Sequence, residues 1–375
     1  MDQERIALLA LHFIPGIGNQ LIKQLIAYRG SAEAVFKTPR GKLVNVPGIG
    51  AITAASIVKG RPFQEAENEI RKMEAENAQI VFFYDKDYPA RLKSIADAPT
   101  LLYTKGTIDF EKQKMVAIVG TRNATAYGKR CVEELLEALA EHDATIVSGL
   151  AYGIDIHAHK HALKNTMQTI GVMGSGLDVI YPSSHSETAR KMLECGGIVT
   201  ENPFGTKPDA HLFPARNRII AGLADALVVI EAAEKGGALI TAEIANSYNK
   251  DVFAFPGNIG QNYSAGCNNL IKSNKAHLIT SIKDLEYLMS WLPNQKQEAP
   301  MIVPRIPEGC SPDEHAVIKT LLENDNELVI DELSQRCGLL VNRVASILLN
   351  LEFRGLITSL PGKRFRLVRE LEPAQ

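Results

Sequence analysis

An α/β fold is predicted by three observations. Between residues 110 and 292, short apolar runs alternate with amphipathic helical segments. Each run follows the previous one by roughly 25 to 30 residues, the length of one strand–helix unit. A helical segment precedes this part, and three short helices with a hairpin follow it. The alternation specifies a parallel sheet with helices on both faces, flanked by two smaller domains.

The strands of the parallel sheet are predicted at 115–120, 145–149, 168–174, 197–201, 226–232, 251–256 and 276–280. Two less regularly spaced apolar runs, 80–84 and 101–103, are predicted strands that could extend this sheet. We therefore assign residues 80–292 to one α/β domain.

The N-terminal segment, residues 1–75, contains a near-repeat, IPGIGNQLIKQLIAY (14–28) and VPGIGAITAASIV (46–58). Paired glycines let a tight turn aim backbone N–H groups at a phosphate where the next helix begins. The pattern is typical of helix-hairpin-helix (SAM-like) modules, with Lys23 and Lys59 as the nearby cations. A helical domain that contacts protein through the same turns fits equally well.

The C-terminal segment begins with a proline-rich stretch, predicted as a linker over 293–309. Residues 310–370 are predicted to form a winged helix domain, with a hairpin turning at Pro361-Gly362. Its second strand region carries basic residues that suit secondary DNA contacts: Lys363, Arg364 and Arg366. A protein-contact domain with a solvated basic edge is the alternative. The helix predicted from about 341 to 353 is poor in base-reading side chains, so operator recognition is not expected.

The composition limits the classes of function. The formal net charge of the 375 residues is −2, so a polyanion must be met by a local patch. Five scattered cysteines without a C-x-x-C pair argue against a disulfide framework and a cysteine zinc site. No apolar run reaches the ~18 residues that span a membrane, and no signal peptide is recognised. We expect a cytoplasmic protein without membrane association.

The run VAIVGTRNATAYGKR (116–130) ends a strand at Gly120 and starts a helix near Tyr127. Its glycine spacing matches neither the dinucleotide fingerprint nor a P-loop. Arg122 offers a fixed fork that suits a phosphate diester. A salt bridge that ties the loop is the alternative interpretation.

Other strand ends repeat this theme. Glycine-rich sequences occur where other predicted strands end, at residues 148–155, 173–182, 234–243 and 255–258. The segment 213–225 adds Arg216 and Arg218. The carboxyl ends of parallel strands open on one edge, where ligands bind. We therefore predict an anion-binding groove that is too long for one nucleotide and holds a nucleic-acid strand. Tyr127 or Tyr181 could stack on a base, although both also suit a core.

No catalytic residue, cofactor or metal site is predicted. His157 and His161 stand at i, i+4 and could chelate a metal, but no H-E-x-x-H pattern or nearby carboxylate pair supports this. Asp155 is interpreted as a helix cap.

Eight stretches in order resemble the DNA-processing protein A family (DprA, also called Smf): VAIVGTRNATAYG, SGLAYGIDIHAHKHAL, GVMGSGLDVIYP, ENPFGTKP, FPARNRIIAGLADALVVIEA, GGALITA, VFAFPG and GCNNLI. The resemblance implies an extended Rossmann-like fold that binds single-stranded DNA and is not an enzyme. It further implies protection of incoming DNA during natural transformation, help in loading the RecA recombinase, and a homodimer. The loops and the resemblance together predict DNA contacts at Gly120, Thr121, Arg122, Ser148, Gly149, Gly174, Ser175, Gly176, Tyr181, Arg216, Asn217, Arg218, Gly236, Gly237 and Gly257.

A departure from the family pattern bears on the predicted contact residues. After Tyr181-Pro182 the expected basic residue is replaced by Ser183-Ser184-His185, and Arg190 or Lys191 could substitute for it.

Two alternative functions stay open. GGALITAE resembles a loop of nucleotide phosphoribohydrolases, with Glu243 as a lone carboxylate, so a nucleotide-binding or nucleotide-hydrolysing enzyme is one alternative. A transcription regulator that uses the winged helix is the other.

Overall fold

The computed structural model describes residues 2–291, 310–322, 324, 327–360 and 363–367. The chain forms two compact units, Met1–Gln295 and Lys296–Gln375. The predicted linker at 293–309 and the predicted turn at Pro361-Gly362 lie outside the described residues. The finer domain boundaries, at 75, 80, 292 and 310, stay predictions.

The N-terminal segment is helical. It contains α1 (Gln3–His12), α2 (Asn19–Arg29), α3 (Ala32–Lys37), α4 (Arg40–Leu43), α5 (Ala51–Lys59) and α6 (Phe63–Ala75). The PGIG repeats form matching turns, because Gly16 and Gly48 have φ of +81° and +80°, values that favour glycine. Helices α2 and α5 each begin three residues after these glycines.

The helix after the first of these turns contacts another part of the same chain. The side chain of Asn19 accepts hydrogen bonds from the backbone N and from Oγ1 of Thr100, both at 2.8 Å. Lys23 donates to the carbonyl of Ala98 at 2.7 Å. These bonds join the first repeat to another part of the same chain, whereas Lys59 of the second repeat is exposed. Whether the repeats contact DNA or protein stays a prediction.

One large sheet lies at the centre of the first unit. Its described strands are β1 (Gln79–Phe82), β2 (Leu101–Gly106), β3 (Met115–Val119), β4 (Thr145–Ser148), β5 (Thr169–Val172), β6 (Gly196–Thr200), β7 (Ala226–Val229), β8 (Asp251–Ala254) and β9 (His277–Leu278). They are ordered β1-β2-β6-β5-β4-β3-β7-β8-β9. Strands β3 to β9 pair in parallel, and β1 and β2 extend the β6 edge in antiparallel pairing. The predicted parallel sheet and both predicted extra strands are therefore present.

Helices cover both faces of the sheet because its strands alternate between two apolar cores. The helices are α7 (Ala90–Lys93), α8 (Ala126–Ala140), α9 (Ile154–Lys164), α10 (Ser186–Met192), α11 (Leu212–Leu223), α12 (Gly237–Ser247), α13 (Ala265–Lys272) and α14 (Ile282–Met289). Val116 and Ile118 of β3 face the core that contains α8 and α9, and Ala117 and Val119 face the core that contains α11 and α12. Within the described part of the chain, no helix is long and apolar enough to cross a membrane.

A third core joins the N-terminal helices to the added strands. Leu8 and Leu11 of α1 belong to the same buried cluster as Phe82 of β1 and Tyr103 of β2. The added strands thus give the N-terminal helices an apolar surface to pack on.

The second unit has a winged helix arrangement, which confirms this part of the predicted fold. It contains α15 (Pro312–Leu322), β10 (Glu327–Val329), α16 (Ile330–Cys337), α17 (Val341–Phe353), β11 (Ile357–Leu360) and β12 (Arg364–Leu367). The three strands are ordered β10-β12-β11 and antiparallel. Its own core includes Ile318, Leu333 and Leu348.

Candidate nucleic-acid interface

The topology places a crevice beside β3. The chain runs outward through β4, β5 and β6, and then returns to form β7 on the other side of β3. Ligands of open parallel sheets bind at such a reversal, outside the carboxyl ends of the strands. The loops after β3 and β7 therefore flank the candidate site.

The loop after β3 is fixed by Glu231, which follows β7. The carboxylate of Glu231 accepts hydrogen bonds from the backbone N of Thr125 at 2.9 Å and from its Oγ1 at 2.6 Å. The backbone N of Thr121 donates to the carbonyl of Glu231 at 2.8 Å. These bonds hold both ends of the segment that carries Arg122.

Arg122 is exposed on this loop, beside the ring of Phe213. Its guanidinium carbon lies 5.8 Å from the ring centroid of Phe213. The Phe213 ring lies 5.9 Å from the ring of Tyr181, and Tyr181 is 47% exposed. We call Arg122, Phe213 and Tyr181 the rim cluster. It places a permanent positive charge next to aromatic surface at the carboxyl edge of the sheet.

The N-terminus of α12 lies in the loop after β7. Gly236 and Gly237 are exposed, and a side chain at either position would meet open space. The first N–H groups of a helix have no partner within the helix and favour anions. The neighbouring Lys235 is also exposed.

Arg216 lies below the loops instead of on their surface. It is 6% exposed, and its guanidinium donates hydrogen bonds to the carbonyl of Gly149, at 2.6 Å, and to the carbonyl of Val172. A Cβ at Gly149 would lie 2.6 Å from Arg216 and 2.7 Å from the carboxylate of Asp155, so this close packing requires glycine. The prediction that Arg216 contacts DNA stays a prediction, and such a contact requires release of these carbonyl groups.

Burial controls the charges of this pair. Burial raises the pKa of the Asp155 carboxyl, and the charge of Arg216 opposes that rise. Burial lowers the pKa of Arg216 to about 10, with Asp155 opposing. Arg216 is thus cationic at neutral pH, inside the protein.

Arg218 and Asn217 also have protein partners. Arg218 forms an ion pair with Glu201 and donates to the carbonyl of Asp97. Asn217 is buried, with its Nδ2 3.5 Å from the carbonyl of Gly237. Their predicted DNA contacts are not tested by these bonds.

The remaining predicted positions lie at the same edge of the sheet, and most of them are buried. Ser148 and Ser175 are buried and donate to the carbonyls of Ile118 and Val179, both at 2.6 Å. The backbone N of Gly257 donates to the side chain of Asn268 at 3.1 Å. Positions that are only half-buried are Gly120 and Thr121, whereas Gly149, Gly174 and Gly176 are buried.

The structure shows two contributors that the sequence analysis did not single out. Phe213 begins the FPARNR segment, which also contains Arg216 and Arg218. Glu231 follows an apolar strand directly, a position at which an acidic side chain reaches the adjoining loop. Both could have been found from these positions.

The departure after Tyr181-Pro182 leaves no basic residue in the turn itself. Residues 183–185 form a short 3-10 turn. On the following α10, Lys191 pairs with Glu187 at 2.9 Å, and Arg190 is exposed. Whether Arg190 replaces the expected contact stays a prediction.

Glu243, the carboxylate of the enzyme alternative, lies away from the rim. It is exposed on α12 and pairs with Lys275 at 2.5 Å. It stands six residues beyond the helix start, about 9 Å along the axis at 1.5 Å per residue. This placement does not favour a role at the carboxyl edge.

The winged helix unit carries its predicted basic residues on and just before β12. Lys363, Arg364 and Arg366 are exposed. Their role as secondary DNA contacts stays a prediction.

His159 gives a pH-dependent prediction for the sheet domain. His159 is fully buried on α9, and its Nδ1 lies 2.7 Å from Oγ1 of Thr169. Burial lowers the pKa of His159 from 6.5 to about 3, and the charges of Arg216 and His185 act in the same direction. Below pH 6.5 the unfolded chain takes up a proton that the folded chain does not. The free energy of unfolding therefore decreases as the pH is lowered, by about 2 kcal/mol from pH 7 to pH 5. Urea unfolding at both pH values checks this, and an equal loss in His159→Gln would contradict it.

The fold defines the class of the protein: a Rossmann-like α/β protein with a C-terminal winged helix. A family model described as DNA recombination-mediator protein A matches residues 79–290, and a DprA winged helix domain model matches residues 303–363. The chain belongs to the DNA recombination-mediator protein A (DprA) family, as its motifs predict.

The reported relatives cover from about half to nearly all of the chain. Protein Smf from Synechocystis is 34% identical, over 97% of this chain and 99% of its own. The structure of DNA processing protein A from Streptococcus pneumoniae matches with a TM-score of 0.66 and 33% identity, over 78% of this chain and 99% of its own. DNA processing protein A from Helicobacter pylori, whose structure concerns its single-stranded DNA binding mode, matches with a TM-score of 0.52 and 30% identity, over 57% of this chain and 98% of its own.

Proposed function

We propose that the chain binds single-stranded DNA along the carboxyl edge of its sheet and acts as a recombination mediator. The observation that carries this proposal is the rim cluster, in which exposed Arg122 lies beside Phe213, and Phe213 in turn packs against exposed Tyr181. The single-stranded DNA binding of the Helicobacter pylori relative supports it.

The rim cluster offers the two kinds of contact that a single strand needs. A guanidinium donates paired hydrogen bonds to phosphate oxygens, and aromatic faces stack on bases. The exposed N-terminus of α12, at Gly236 and Gly237, supplies main-chain donors for a neighbouring phosphate. In a duplex the base faces are already stacked, so the aromatic surface has nothing to bind.

The buried arginines position this surface. Arg216 ties the loops after β4 and β5 together through the carbonyls of Gly149 and Val172. Arg218 ties α11 to the loop after β6 through Glu201. In our proposal Arg122 contacts phosphate, and Arg216 and Arg218 hold the loops that shape the groove.

The function is tested by fluorescence anisotropy of a labelled oligonucleotide, single-stranded and duplex, over a salt series. We expect preference for the single strand and weak dependence on base sequence. The logarithm of the affinity should fall by about 0.7 per contacted phosphate for each log unit of salt. A preference for duplex would contradict the proposal and favour the winged helix as the main site. Binding to neither form would contradict it as well, and release of base from a nucleoside monophosphate would then favour the hydrolase alternative.

The wider role rests on the family. We propose that the protein protects incoming DNA during natural transformation, helps to load RecA, and works as a homodimer in the cytoplasm. Family membership supports these roles, and the DNA-binding surface described above is the part of the molecule they require.

A further inference from the structure

Two histidines on α9 share a carboxylate from α8. Oε1 of Glu133 lies 3.0 Å from Nε2 of His157 and 3.4 Å from Nε2 of His161. The two imidazole rings are 4.5 Å apart between centroids. The i, i+4 spacing on one helix places the rings together, but only the packing of α8 against α9 adds the carboxylate, which the sequence analysis did not foresee.

These separations suit a small divalent transition metal. The three ligand atoms all lie within 4.8 Å of one another. Ligands about 2.0–2.1 Å from a tetrahedral Zn²⁺ are about 3.3 Å apart, close to both distances from Glu133. Two imidazoles with one carboxylate and an open fourth position form a familiar set for Zn²⁺.

All three side chains are partly open to solvent. The side chains of His157 and His161 are 19% and 16% exposed, so an ion can enter from solvent.

We propose that Glu133, His157 and His161 form a binding site for a divalent transition metal, with Zn²⁺ as its best-suited ion. A bound ion would join α8 to α9. These helices follow the loops after β3 and β4, so the ion would brace the elements behind the rim cluster. Because Nδ1 of His161 is buried without a hydrogen-bond partner among the described residues, we expect an affinity about 10- to 100-fold below that of a site with a complete outer shell.

Zinc binding by the full-length chain, freed of any affinity tag, tests the site directly. In competition with a chromophoric chelator we expect one Zn²⁺ per chain, and loss of that equivalent in Glu133→Gln and in His161→Gln. Saturating Zn²⁺ should raise the Tm of the parent protein by a few degrees and leave the Tm of both variants unchanged. Circular dichroism without metal confirms that the variants fold.

His211→Gln is the matched control, because His211 is an exposed histidine with Nδ1 2.9 Å from Asp209. This control variant should still bind one Zn²⁺ per chain. Co²⁺ should give a spectrum without thiolate charge-transfer bands, since no cysteine belongs to the site. Zinc binding that survives in a His157→Gln/His161→Gln double variant, or no stoichiometric zinc in the parent, would overturn the proposal. None of these readouts depends on DNA binding.

Discussion

Replacing Arg122 with alanine is expected to weaken binding of single-stranded DNA by roughly ten- to one-hundred-fold. The loss corresponds to one charge-assisted contact with phosphate, about 1.5–3 kcal/mol. Stability should change little, because Arg122 is exposed and its contact with the Phe213 ring is worth only about 0.5–1 kcal/mol at a solvent-facing site. Anisotropy gives the affinity, and urea unfolding gives the stability.

The salt dependence shows whether Arg122 meets a phosphate. Loss of one phosphate contact should reduce the slope of log affinity against log salt by about 0.7. Lys272→Ala is the matched control: Lys272 is exposed at the end of α13, just before β9, and therefore toward the amino ends of the strands. An Arg122→Ala protein with the parent's affinity and slope would refute the central assignment of the site.

Replacing Arg216 with alanine is expected to lower the free energy of unfolding by about 3–5 kcal/mol, the usual consequence of removing one partner from a buried charged group. The substitution removes this donor from the carbonyls of Gly149 and Val172, and it removes the stronger of the two positive charges that act on Asp155. Urea unfolding at neutral pH measures the loss.

A double-mutant cycle with Asp155→Asn separates positioning from contact. If Arg216 and Asp155 act together inside the protein, the double variant should lose less stability than the sum of the single variants. An Arg216→Ala protein of normal stability that no longer binds DNA would show instead that Arg216 leaves its carbonyl partners to contact phosphate.

The parallel sheet and the edge that carries the candidate site were predictable because they depend on local patterns. Apolar runs at strand–helix spacing fix the order of strands and helices, and the carboxyl ends of parallel strands meet at one edge in any such fold. The glycine-rich loops at 148–155 and 173–176 were therefore expected together, and the structure places them together. The winged helix followed in the same way from three short helices and a hairpin.

The depth of each arginine was not predictable from those patterns. Arg122 and Arg216 both occur in glycine- or proline-rich surroundings, yet one is exposed and the other is 6% exposed. The difference arises because α11 packs beneath the loops after β4 and β5, and the side chain facing inward must satisfy their carbonyl groups. Such a requirement depends on contacts far apart in the chain.

The sequence by itself determined the α/β class, the family, the edge of the sheet that carries the candidate site, and the chemical groups present there. Only the tertiary structure decided which of those groups reach solvent, that Phe213 lies between Arg122 and Tyr181, and that Glu133 meets His157 and His161. Periodicity and glycine placement act over one or two turns of chain. Burial, by contrast, is set by packing between elements many residues apart, and burial determines whether a cation binds a phosphate or a carbonyl.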